Sequence, residues 1–205
     1  MKSTLDSIRN EHCSLAAILQ AMRDMVARIR DGRAPPDFDG LRVTLYYLDT
    51  FSARLHHPKE DEFLFQPLHA RSGDADAIID DLQREHARGA AALRSAEQAL
   101  LRYEAGGERE FVAFATAVEG FCDFYVRHMH KEETLAIPLA EELFSDKDWA
   151  CIDAACAAAR EPQDGVDEDR EFRRLFRRIV GKVLAPPAGP ARNCRRIARG
   201  LRSGG

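Results

Sequence analysis

Six side chains that can bind a metal recur at helical spacing along this chain: His12, His56 with Glu60, His86, and His128 with Glu132. Each His/Glu pair is spaced i, i+4, one turn apart on a common face. With Phe121 set at zero on a helical wheel, Phe114, Tyr125, His128, Glu132, Leu135 and Leu139 fall within about 40°, and Glu133 lies near 120°. With Leu45 at zero, Ser52 and His56 lie within about 20° and Glu60 at about 60°, while His57 and Asp61 swing beyond about 120°. His12 continues the line Leu5, Ile8, Leu15, Leu19, and His86 follows Ile79 and Leu82. Four apolar stripes therefore each carry one inward histidine, and two of them add a glutamate.

A single core histidine is ordinary, but two buried carboxylates cost several kcal/mol each unless something compensates them. A cation between the stripes compensates all six groups together. Imidazole and carboxylate without thiolate suit iron, manganese or zinc and disfavour calcium and magnesium. Six donors exceed what one tetrahedral zinc uses, and two glutamates from facing helices can bridge two ions, so a dinuclear iron site is the economical expectation. Pro58 has no N–H for the carbonyl of Arg54, so the helix kinks or bulges there, and a kink that turns His57 inward adds it to the candidate ligands. No histidine has a glutamate three residues before it, which removes the ferritin-like Glu-x-x-His pattern, and His-Glu-x-x-His is absent too.

The elements that must position these residues read as helices. Apolar residues recur at three- and four-residue steps in four long segments, and no stretch alternates as a strand would. The first segment ends at "DGRAPPDFDG", the second runs from near Leu41 to Leu68, the third is capped by Asp74, and the fourth covers about residues 108 to 144. Short connections favour an all-α, up-down-up-down antiparallel four-helix bundle over residues 1–145. Ser145 and Asp148 cap a further helix, and "EDREFRRLFRRIVGKVL" is amphipathic; together they form a C-terminal helical extension, residues 146–184, packed on the bundle. Residues 185–205, with five arginines and no acid, read as a basic, disordered tail whose protein partner is unknown. The second and fourth segments share a phrase, "HHPKEDEFLFQPL" and "HMHKEETLAIPL", a weak hint of internal duplication.

Composition narrows the function classes. Of 205 residues, 45% are hydrophobic and 31% charged, as in a helix-rich globular protein. A net charge of −4 gives the body no reason to bind nucleic acid or membrane, and the N-terminus lacks a signal-peptide core, so the expected compartment is the cytoplasm. Five scattered cysteines contain no Cys-x-x-Cys pair for zinc or redox chemistry.

Over about residues 1 to 150, "NEHCSL", "HHPKEDEFLF", "REHARG", "HMHKEETLAIPLA" and "DKDW" resemble the hemerythrin-like, or HHE cation-binding, domains. The resemblance implies two non-haem irons held by His12, His56, His86 and His128 and bridged by Glu60 and Glu132. It implies binding, sensing or storage of O2, or reaction with peroxide or nitric oxide. The chain departs from the oxygen-carrier pattern at Ala90, where those proteins place a second third-helix histidine, leaving the site one histidine short unless His57 or water fills it. A metal- and oxygen-binding protein is thus expected ahead of an enzyme, with a redox enzyme and a metal- or redox-responsive regulator as alternatives, and zinc or manganese as alternative metals. Tyr125 is expected to pack in the core or to donate a hydrogen bond near the site. Glu11 and Glu85 are read as partners of the ligand histidines or as exposed helix charges.

Overall fold

The computed structural model describes residues 2–159 and 168–183, and among these residues every regular element is helical. α1 (Ser3–Arg30) ends in a glycine cap: Gly32 takes φ 65°, its N–H bonds the Ile29 carbonyl at 3.0 Å, and Arg33 N–H bonds the Arg28 carbonyl at 2.8 Å. The second rod comprises α2 (Phe38–Phe51), α3 (His57–Glu60) and α4 (Gln66–Arg71), with Asp37 capping its start by accepting from Gly40 N–H at 2.9 Å. α5 (Asp76–Gly106) is the third rod. α6 (Phe111–Lys131) and α7 (Ile137–Leu143) form the fourth. The cap before α5 is Ser72, whose hydroxyl accepts from Asp74 N–H at 3.2 Å; Asp74 itself, the expected cap, lies inside the 3-10 turn Gly73–Ala75.

The second and fourth rods are each continuous but contain π-helical turns, at Ser52–His56, Asp61–Phe65 and Glu132–Ala136. Each turn is centred on the residue four before a proline: Arg54 before Pro58, Phe63 before Pro67, Thr134 before Pro138. Proline brings no N–H to that carbonyl and its ring crowds it. The backbone responds by inserting one residue. His57, Gln66 and Ile137, each just ahead of its proline, donate to carbonyls five residues back, on Ser52, Asp61 and Glu132.

One inserted residue sets the following face back by about 100°. Leu135, placed inward by the unbroken wheel, is accordingly 46% exposed, and Ala136, Ile137 and Ala140 are buried in its stead. The same insertion at Ser52–His56 moves His57 from about 120° to about 20° on the wheel, toward the bundle axis.

The apolar core is divided in two. One cluster holds Leu15, Leu19, Met22, Leu45, Leu48, Leu93, Leu100, Phe114 and Phe121; the other holds Leu5, Ile8, Phe65, Leu68, Ile79, Leu82, Ile137 and Trp149. In sequence the candidate histidines fall at the boundary: His12 between Ile8 and Leu15, His86 between Leu82 and Leu93.

α8 (Asp146–Ala159) closes the second cluster through Trp149, Ile152 and Cys156. Ser145 and Asp148 cap it reciprocally, Ser145 N–H donating to Asp148 Oδ2 at 2.9 Å and Asp148 N–H to Ser145 Oγ at 3.3 Å. α8 also caps α1: Asp153 accepts from Ser3 N–H at 3.0 Å, Thr4 N–H at 2.9 Å and the Thr4 hydroxyl at 2.8 Å. α9 (Glu168–Val183) packs on α1 and α2 around the first cluster, with Phe172 against Phe51 and Tyr47 at ring-centroid distances of 5.4 and 5.8 Å. The expected basic tail at 185–205 lies outside the described residues. No helix of the described residues is long and apolar enough to cross a membrane.

Candidate metal centre

His12, His56, Glu60, His128 and Glu132 are buried to within 5% exposure, with His56, Glu60 and Glu132 at 0%. His86 is nearly buried and His57 half-buried. Two donor groups result. His12, His56, Glu60 and Glu132 offer ligand atoms that all lie within 4.8 Å of one another, and so do His57, His86 and His128. All seven sequence-derived candidates therefore stand in one belt across the bundle, including His57, which an unbroken helix would turn away. Ala90 supplies no donor, and the imidazole nearest His86 is that of His57. His69, by contrast, is exposed and pairs with Asp76 at 2.8 Å, and His130 is half-buried outside both groups.

Inside the belt, Nε2 atoms converge on carboxylate oxygens. His12 Nε2 lies 3.1 Å from Glu60 Oε1 and 3.2 Å from Glu132 Oε2; His128 Nε2 lies 3.0 Å from Glu132 Oε1 and His56 Nε2 3.4 Å from Glu60 Oε1. His86 Nε2 stands 3.6 Å from Glu60 and 3.7 Å from Glu132, so both carboxylates face both halves. Yet among the described residues no hydrogen-bond partner exists for Nε2 of His56, His86 and His128, for Glu60 Oε2, or for either oxygen of Glu132. Six orphaned buried polar atoms aimed at one another are expensive as they stand. Two donors about 2.1 Å from one ion and at right angles lie about 3 Å apart, so the same geometry fits donors around a cation.

The outer faces of three rings are hydrogen-bonded, and a carboxylate stands near the fourth. His12 Nδ1 meets Glu133 Oε1 at 2.8 Å, His56 Nδ1 meets Glu11 Oε2 at 3.2 Å, and His128 Nδ1 meets Glu85 Oε2 at 3.0 Å; Asp61 Oδ2 is 3.8 Å from His86 Nδ1. A carboxylate on Nδ1 holds a proton there, so that Nε2 would face a cation once its own proton is displaced, the outer partnership of metal-binding histidines. Glu11 and Glu85 thus do partner histidines, but on other helices than the ones they precede. Glu133 and Asp61, assigned to the flanks by the wheel, are drawn in by the same π-turns that rotate the rods. Prolines 58 and 138 were the signal for this in the sequence.

His57 is held differently. Its ring stacks on His86, and its Nε2 lies 2.9 Å from the Tyr125 hydroxyl, which donates onward to Ser52 Oγ at 2.7 Å. With its proton committed to Ser52, Tyr125 accepts from His57. The core and hydrogen-bonding readings of Tyr125 are both realised.

Charge follows from this layout. Burial, with His86 and His56 alongside, pushes His57 down to about 3, so this imidazole is neutral. Burial also opposes charge on His86, but contacts with Asp61, Glu132 and Glu60 outweigh it and push the group up to about 11. His12 is likewise raised well above its ordinary value, burial being outweighed by Glu132, Glu133 and Glu60. Burial and Glu132 work to raise Glu60, yet His56, His12 and His86 pull it down to about 2. The protein's own groups thus answer two buried carboxylates with imidazolium protons, which a divalent cation would displace.

The description "Hemerythrin HHE cation binding domain" matches residues 3–140, a stretch that contains all seven donors. No curated protein and no solved structure matches the chain at a significant level. With the match covering most of the chain and the donors brought into one buried belt, the protein belongs to the hemerythrin HHE cation-binding domain family.

Proposed function

We propose that this protein is a non-haem di-iron centre of hemerythrin type that binds or senses O2 or a related diatomic molecule. The observation that carries the reading is the pairing of two donor groups that share two carboxylates: His57, His86 and His128 on one side, His12 and His56 on the other, with Glu60 and Glu132 facing both. Five imidazoles and two shared carboxylates suit two borderline cations, and iron at such donors supplies reversible electron transfer to a small ligand. The chain's own residues would fix the geometry: carboxylates hydrogen-bonded to Nδ1 orient His12, His56 and His128, the Tyr125–Ser52 pair orients His57, and the two apolar clusters limit water. Iron-loaded protein, reduced without air and then exposed to it, should develop a charge-transfer absorption band that disappears again under argon. A band that forms and cannot be reversed rejects the carrier version. Turnover of peroxide or nitric oxide in large excess over protein would replace it with an enzyme.

A second reading, regulation of a partner through the C-terminal helices, is favoured by one contact chain. His56 lies against Phe51 at a centroid distance of 6.3 Å, and Phe51 lies against Phe172 of α9. Metal loading should then change the protease sensitivity of α9; an identical digestion pattern with and without iron rejects it.

A further inference from the structure

Lys59 is 8% exposed, an unusual place for a lysine. From α3 it crosses to α1, where its Nζ bonds Ser7 Oγ at 3.2 Å and pairs with Glu11 Oε1; the other oxygen of Glu11 meets His56 Nδ1. On the opposite side of the belt Lys131, at the end of α6, crosses to α5. Its Nζ lies 2.6 Å from Asp81 Oδ2 and 2.6 Å from Glu85 Oε1, and the other oxygen of Glu85 meets His128 Nδ1 at 3.0 Å.

The two constellations correspond contact by contact. Ser7, Glu11 and His12 on α1 answer to Asp81, Glu85 and His86 on α5, and His56, Lys59 and Glu60 answer to His128, Lys131 and Glu132. Even the remaining carboxylates keep the match, with Glu133 beside Arg9 at 3.7 Å and Asp61 accepting from Gln83 at 3.1 Å. The phrase shared by the second and fourth segments, His-x-x-Lys-Glu, is therefore a geometric unit. Its histidine and glutamate face the centre, and its lysine reaches outward to the carboxylate that holds that same histidine.

We propose that Lys59 and Lys131 are positioning residues of the cation centre, each locking the carboxylate that fixes the tautomer and direction of one ligand histidine. The proposal rests on the cation-centre reading. Each lysine occupies one carboxylate oxygen, so the glutamate cannot swing to solvent, and the second oxygen remains aimed at Nδ1–H. The Nε2 lone pair then points at the metal. Glu11 and Glu85 also immediately precede His12 and His86, so each lysine anchors the backbone turn of a second donor.

The test uses the full chain and iron(II) alone, with affinity measured anaerobically against a competing chelator. Lys59→Met and Lys131→Met should each weaken iron binding by about ten- to a hundredfold, the range seen when outer partners of metal ligands are removed. Lys147→Met, at an exposed site, should bind as the wild type does. Because Lys59 acts through Glu11, adding Glu11→Gln to Lys59→Met should cost little more, a coupling that a merely structural lysine would not show. If Lys59→Met fails to fold, Lys131→Met, in the less buried pair, carries the measurement together with Glu85→Gln. Wild-type affinity in the lysine variants, or strict additivity with the glutamate variants, overturns the proposal while leaving the cation centre standing. A wild-type chain that takes up no iron overturns the cation centre, and the proposal with it.

Discussion

His57 stacks on His86 with ring centroids 3.8 Å apart and planes within 10° of parallel. The pair joins a candidate ligand that the π-turn of the second rod turns inward to the candidate ligand of α5, on the side of the belt where Ala90 offers nothing. The corresponding residue of the fourth rod is Met129, fully buried and without a nitrogen, so the two halves of the site differ here.

The asymmetry makes His57 a test of stoichiometry. Removing it should leave His12, His56, Glu60 and Glu132 intact and strip the other half of one imidazole. Elemental analysis of His57→Ala is expected to show iron falling from two toward one per chain, whereas His130→Ala, outside both groups, should keep both. Equal loading of the two variants would remove His57 from the ligand set.

Metal binding should be strongly pH-dependent. His86 is raised to about 11 and must lose its proton to coordinate, so iron(II) affinity should climb about tenfold per pH unit for each proton displaced, throughout the neutral range. For His86, stability without metal runs the other way. The raised His86 contributes fully below its ordinary value of 6.5, and that contribution is lost as pH rises through about 11. Glu60, depressed from 4.5 to about 2, contributes above 4.5 and loses its contribution as pH falls through about 2. An affinity that is flat between neutral and mildly acid pH would contradict the proton count.

Breaking the belt should cost more than removing it. Glu60→Ala leaves buried imidazolium charge unanswered and is expected to destabilise the metal-free protein by about 3–5 kcal/mol in urea unfolding. Replacing His86 and Glu60 together by apolar residues should recover much of that loss, because a raised imidazolium and its carboxylate leave together and their desolvation cost goes with them. A double variant as unstable as Glu60→Ala would show that the polar groups themselves hold the rods together.

Asp153 provides a check remote from the metal. Its three hydrogen bonds to Ser3 and Thr4 cap α1 from α8, and Asp153→Ala should cost about 1 kcal/mol. Burial raises its pKa, but the bonds from Thr4 and Ser3 together prevail and lower it below the ordinary 3.8. The difference between wild type and variant should therefore persist at neutral pH and shrink as pH falls below 3.8. A difference that does not change with acid would mean that the carboxylate is not the cap.

The sequence by itself determined the helical class, the four rods, and six of the donors, because each of these follows from a local period. His12, His56, His86 and His128 fall on apolar stripes, and Glu60 and Glu132 follow their histidines by one turn, whichever way the rods pack. Rotation and partnership were decided only in three dimensions. A helical wheel assumes an unbroken turn, and three prolines insert residues into two rods, which brings His57, Asp61 and Glu133 inward and leaves Leu135 exposed. Which outer group serves which histidine was illegible for a different reason. Glu11 precedes His12 but serves His56, Glu85 precedes His86 but serves His128, and Lys59 and Lys131 act across the bundle. Such contacts join residues far apart in sequence, and no periodicity within one helix encodes which neighbour a side chain will meet.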